Sequence, residues 1–119
     1  MRLDTASKLV PEWFDFKSEK VNEEPVAGFN LKPLSSMEYM QVLAGMIVNE
    51  SGSQTYSAQA VRDAFRMAVI GWRNITEEDG QTEVKFSLHL MDYVPVKILN
   101  AVFSEILTRA MVREYERKN

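Results

Sequence analysis

The sequence predicts a mainly α-helical protein: three to four packed helices with a small N-terminal β-hairpin or extended arm. Three observations carry that expectation. Within Ser57–Trp72, the residues Val61, Ala64, Phe65, Ala68, Val69 and Trp72 recur at spacings of three and four. At about 100° per residue they fall within a sector of roughly 140°, the one-sided stripe of a helix docked on a core. Leu34-Ser35-Ser36-Met37-Glu38 is a helix start signal, with Ser35 at the N-cap and Glu38 three residues later. That spacing is a capping box, in which two orphan backbone donors are satisfied reciprocally. From Val96 to about Glu116, Ile98, Leu99, Val102, Phe103, Ile106, Leu107 and Ala110 cover about half a helical circumference.

In chain order, Met1–Pro11 shows little periodicity and reads as a flexible arm. Residues 12–34 read as extended. Trp13-Phe14-Asp15-Phe16 groups aromatics ahead of the polar run Lys17–Glu24, and Phe29 and Leu31 then alternate against Asn30 and Lys32. Trp13–Phe16 and Val26–Leu31 are placed to pair as an antiparallel hairpin lying on the helices. Residues 35–117 form the helical part of what reads as one domain. Its first helix is expected from Ser36 to about Val48, with Met37, Tyr39, Met40, Val42, Leu43, Ala44, Met46 and Ile47 around nearly the whole circumference. A helix apolar all round is buried on every side or shared with a partner. Asn49–Gln54 is a turn-rich connector into the striped segment, where Gly71 weakens the helix end and Trp72 closes the stripe. Arg73–Gly80 has no apolar period and ends in Asp79-Gly80, a turn signal. Phe86 then returns to apolar territory, Ser87 is a cap candidate, Leu88–Tyr93 reads as a short helical turn, and Pro95 suits the start of the last helix. Trp72, Gly80, Phe86 and Ser87 are thus the expected structural anchors.

A chain of 119 residues fits one domain with a modest core, and a net charge of −3 lacks the basic excess of a dedicated nucleic-acid binder. Without cysteine there is no disulfide framework, thiolate nucleophile or Cys-based metal site. No apolar run has the length of a membrane span, and Met1-Arg2-Leu3-Asp4-Thr5 lacks the apolar core of a signal peptide. The expectation is a soluble, intracellular protein acting without membrane or nucleic acid.

Chemistry at named residues is sparse. Ser87, His89 and Asp92 are close in sequence, but residues two and three apart on one short helix diverge, whereas a triad needs a base bonded to both partners. Thr76-Glu77-Glu78-Asp79-Gly80 fails as a calcium loop. With Gly80 as the loop glycine, Ile75 and Phe86 would fall on ligand positions. The isolated glycines build no phosphate cradle. No enzyme activity, metal or cofactor is therefore expected. The apolar surplus is the remaining signal: Met40, Met46, Met67 and Ile70 leave apolar surface beyond one core. It reads either as the filling of an irregular core or as an adaptable protein-binding surface.

The order of motifs resembles the tail assembly chaperones of long-tailed (siphovirus-type) bacteriophages. The matching pieces are Phe29-x-Leu31-Lys32-Pro33-Leu34-Ser35 leading to Glu38, the run from Trp72 through Thr76-Glu77-Glu78-Asp79-Gly80, Phe86-Ser87, and Val94-Pro95 opening a helix with Ile98-Leu99. The likeness covers roughly Phe29 to Ala110, and its most specific part is the tryptophan, acidic turn, glycine and Phe-Ser run. The resemblance implies a helical, self-associating, non-enzymatic protein of the host bacterial cytoplasm, encoded by a phage or prophage. It implies that the protein binds the phage tape-measure protein, keeps it soluble and helps the tail-tube protein assemble around it. Met40, Leu43, Ile47, Leu99, Phe103 and Leu107 are the candidate contact residues for amphipathic helices. Other functions compatible with the sequence are a phage head–tail connector or structural protein and a small acidic host-directed regulator.

Overall fold

The computed structural model describes residues 10–16 and 26–117. Most of the expected Met1–Pro11 arm and the polar loop Lys17–Glu24 lie outside the described residues, as do the side chains of Glu116 and Arg117. The architecture is mixed α/β, which corrects the mainly helical expectation. In order, the elements are β1 (Glu12–Asp15), β2 (Gly28–Leu31), α1 (Ser36–Leu43), β3 (Met46–Val48), β4 (Gln54–Tyr56), α2 (Ala58–Ala68), β5 (Val69–Arg73), a 3₁₀ helix (Leu88–Tyr93) and α3 (Val96–Arg117). The strands form a three-stranded sheet in the order β1-β2-β5 and a two-stranded sheet of β3 and β4, all antiparallel.

Two expected helices are shorter than their apolar patterns. The first stops at Leu43 rather than Val48, because Ala44 caps it and Gly45 packs against α2 too closely for any side chain, a Cβ there overlapping that of Ala60. Ile47-Val48 are β-branched and suit the extended strand that follows. Asn49 turns the chain back by accepting from the backbone N–H groups of Ser51 (3.1 Å) and Ser53 (3.0 Å), which sets Met46 opposite Tyr56. A stretch apolar all round has no period to mark where its helix ends.

The second helix stops at Ala68 rather than Trp72. Val69–Arg73 continues as β5, with Trp72 opposite Phe29 and Gly71 opposite Asn30. Two β-branched residues and a glycine are weak helix formers, and pairing with β2 supplies the backbone partners that a fourth helical turn would have used. Val69 and Trp72, three apart, fit the helical spacing. A register shift opposite Asn30 and Leu31, rather than strict alternation, pairs them with Leu31 and Phe29 on one face of β2, so the stripe alone does not locate the switch.

Phe29, Leu31, Leu34, Val42, Ala64, Ala68 and Val102 are essentially without solvent exposure and form the centre of the core. Phe65, Ile106 and Ala110 complete it from α2 and α3, and the three α-helices pack on one another. The capping box forms: Glu38 N–H donates to Ser35 Oγ (3.2 Å) and Ser35 N–H to Glu38 Oε1 (2.9 Å). Arginines on α3 fasten it to the extended half. Arg109 donates to the carbonyls of Glu12 and Trp13, and Arg113 to that of Leu34 at 2.7 Å. On the outer face of the larger sheet, Arg73 Nη2 reaches both Asp15 carboxylate oxygens (3.0 and 3.1 Å), with its guanidinium 4.3 Å from the Trp13 ring centre. They meet across Gly28, which is in register with both and has no side chain to part them.

Truncating Phe29 to alanine empties the centre of the core and removes the edge-on partner of Trp72, and costs about 3–5 kcal/mol of stability. Ile70→Ala, on an exposed position of the neighbouring strand, costs under about 1 kcal/mol. Denaturant melts of the two variants check both values.

Candidate functional site

Two surfaces stand out once the core is assigned. The first is the outer side of α1 and β3. Met37 (73% exposed), Met40 (62%), Ile47 (52%) and Val48 (58%) lie open to solvent within twelve residues of chain. The one charged residue from Met37 to Val48 is Glu38, which is engaged in the capping box and lies 3.9 Å from Lys32. Met40 and Ile47 are therefore surface residues, and Leu43 is half-buried between them in sequence.

The other candidate contacts, on α3, lie differently. Leu99 and Leu107 are partly buried against the core, and Phe103 is in it, edge-on to Tyr56 (5.1 Å between ring centres) and Phe65 (6.5 Å). Burial also raises the Tyr56 phenol above its ordinary pKa, with neighbouring Tyr39 adding to the effect. Phe103 thus holds the fold rather than presenting a surface. Sequence reasoning passed over Met37 and Val48 as contacts, and also the exposed Tyr93, Val96, Met111 and Tyr115. The signal available for Met37 was its spacing of three from Met40 on the same short helix.

The second surface is organised by Trp72. Its indole N–H donates to the Val84 carbonyl at 2.7 Å, and its ring stands edge-on to Phe29 (6.4 Å) and to Phe86 (5.2 Å). Val84 N–H donates to Ile75 O, Thr76 and Glu83 form a β-bridge, and Glu77 N–H donates to Thr82 O. The acidic segment is consequently a small hairpin arm rather than a featureless solvated connector. Gly80 serves its tip with φ +72°, a left-handed conformation that L side chains resist. Asp79 locks the same tip, accepting from the Thr82 hydroxyl (2.5 Å), the Thr82 N–H (2.8 Å) and the Gln81 N–H (2.9 Å).

Between this arm, β2 and the start of α3 runs an open groove of about 610 Å³, with Phe29, Trp72, Ile75, Val84, Leu90 and Ile98 in its walls and Glu77 and Glu78 along it. A second groove, of about 790 Å³, lies between α2, the 3₁₀ helix and α3, where Arg62 and Arg66 alternate with Asp63 and Asp92. Arg66 pairs with Asp63 at 3.0 Å and Arg62 approaches Asp92 at 3.9 Å. Ser87 makes no capping bond to the 3₁₀ helix; its Oγ is instead 2.7 Å from His89 Nδ1. These two side chains therefore meet rather than diverge, because Ser87 lies in extended backbone before the helix. No hydrogen bond joins His89 to Asp92 among the described residues, so the base lacks the orienting partner of a triad. The described residues contain no cluster of three His, Asp or Glu suited to a metal ion and no helix long and apolar enough to cross a membrane.

Fold and surfaces together define a small α/β protein whose distinctive exposed features are an uncharged apolar face and a groove with carboxylates on its rim. Comparison with protein-family models, curated proteins and solved structures finds no match.

The Asp79 carboxyl is held below the ordinary aspartate range, first by the Thr82 hydroxyl and then by the backbone N–H groups of Thr82 and Gln81. A depressed folded pKa means that its ordering of the tip is complete above the unfolded value and is lost as pH falls through the folded one. An NMR titration should show the Thr82 and Gln81 amide signals moving only below the usual carboxylate midpoint. Asp79→Asn should abolish that step.

Proposed function

We propose that this chain is a non-enzymatic bacteriophage tail assembly chaperone that binds the tape-measure protein and keeps it soluble while tail-tube subunits assemble. The observation that carries the reading is the exposure of four large apolar side chains, Met37 and Met40 on α1 and Ile47 and Val48 on β3, within twelve residues of chain. Exposed apolar side chains concentrated in one short stretch of chain are a protein-docking feature, and methionine adapts to varied helical partners. A holdase for a long helical rod needs such a face to cover the rod's apolar stripe before assembly does so. The client itself comes from the resemblance of Phe29–Ser35, the Trp72–Gly80 run and Phe86-Ser87 to the tail assembly chaperones. The same face gives a homo-oligomer a means of covering itself when no client is present.

Within this reading the contact set is Met37, Met40, Ile47 and Val48, with Leu43 half-buried between them in sequence, Leu99 and Leu107 partly buried on α3, and Phe103 supporting the core. The test is co-expression with a tape-measure protein of a long-tailed phage. Met40→Asp combined with Ile47→Asp changes exposed positions, leaves the melting transition within a few degrees of wild type and moves the client to the pellet. A folded double variant that keeps the client fully soluble contradicts the proposal. Phe103→Asp would unfold the chain and does not serve as a test.

A further inference from the structure

The groove beside Trp72 is a separate surface from the α1–β3 face, and its chemistry is different. Its walls are apolar: Phe29, Trp72, Ile75, Val84, Leu90 and Ile98 supply them. Apart from Tyr93, the polar side chains lining it, Thr76, Glu77 and Glu78, come from the exposed arm, so the groove lacks the converging donors and acceptors that orient a small ligand. Its apolar lining comes from β2, β5, the arm, the 3₁₀ helix and the start of α3, and is open to solvent, which suits a chain segment.

Charge then narrows the partner. The two charged residues lining the groove, Glu77 and Glu78, are both carboxylates on exposed positions, and neither side chain makes a hydrogen bond or ion pair among the described residues. Asp79 and Glu83 flank them, and from Ile75 to Phe86 the chain has four carboxylates against one lysine, Lys85. An anionic or neutral segment gains nothing from this rim, whereas a cationic one meets an unpaired field of opposite sign. Tyr93, 81% exposed, also lines the groove and adds an aromatic ring of the kind that attracts a lysine or arginine.

We infer that the Trp72 groove docks a cationic amphipathic segment of a partner protein, its apolar side chains against Trp72 and Ile98 and its Lys or Arg side chains against Glu77 and Glu78. The inference goes beyond the chaperone reading and does not need it. Apolar burial supplies the affinity and the carboxylates select the sign of the partner.

The probe is a leucine–lysine amphipathic peptide of about four helical turns. Its controls are a leucine–glutamate peptide of the same pattern and a serine–lysine peptide of the same charge. Titration into the full chain carrying Trp13→Phe leaves Trp72 as the sole tryptophan reporter. The leucine–lysine peptide should bind, shift Trp72 emission to the blue and weaken as salt is raised. Both controls should bind at least about tenfold more weakly, and Glu77→Lys with Glu78→Lys should weaken the leucine–lysine peptide about tenfold without changing the melting transition. Equal binding of either control, or an affinity indifferent to the double charge reversal, overturns the inference. So does a dimer in solution whose Trp72 emission the peptide leaves unchanged, because the groove would then be covered by a second copy. Met40→Asp with Ile47→Asp should leave peptide binding intact, which separates this surface from the α1–β3 face.

Discussion

The Trp72 indole joins three stretches of chain that are distant in sequence. It stands edge-on between Phe29 of β2 and Phe86, and its N–H satisfies the Val84 carbonyl. The central strand, the acidic arm and the approach to the 3₁₀ helix are positioned by that one side chain. A buried indole is a large apolar surface with a single donor, so it packs where two apolar walls meet beside one free carbonyl. Both conditions hold here because β5 replaces the last helical turn and turns Trp72 onto the Phe29 face of the sheet. With Trp72 on a helix, neither the Phe29 pairing nor the groove wall would exist in this form.

That switch also explains what the sequence could and could not reveal. Local chemistry was legible wherever one residue type has one use. Ser35 and Glu38 make their reciprocal cap, Asp79-Gly80 makes its turn, and the α3 stripe from Ile98 to Ala110 is buried or half-buried throughout. Trp72 and Phe86 are anchors by their ring contacts. The antiparallel pairing of β1 with β2 was legible, but the other strands were hidden because they are short and lie inside or beside helical-looking runs. Met46–Val48 continues an apolar segment without a break in pattern, and Val69–Arg73 carries Val69 and Trp72 at a helical spacing of three, which only an irregular register with β2 accommodates in a strand. Pairing between β2 and β5, some forty residues apart, decides the second case, and no local propensity encodes it.

The candidate surface was legible in outline and not in detail. An α1 segment apolar around most of its circumference implied an outward apolar face, and Met40 and Ile47 are on it. Phe103 was indistinguishable in sequence from Leu99 and Leu107, since all three share one stripe. The Tyr56 and Phe65 rings bury Phe103 while its neighbours remain partly open. The division between core and surface therefore depends on the β3–β4 hairpin, which brings Tyr56 over α3 and leaves Ile47 and Val48 outside.

One small core thus serves two unlike surfaces, an uncharged face on α1 and β3 and an acid-rimmed groove beside Trp72. The central claim is that another protein covers the first of these. Hydrogen–deuterium exchange of the chain, alone and mixed with a tape-measure protein, tests it most directly. The account predicts slowed exchange concentrated in the segment from Met37 to Val48, while the backbone of β2 is unchanged because it is already protected. Uniform exchange across Met37–Val48 in the presence of a bound client would contradict it.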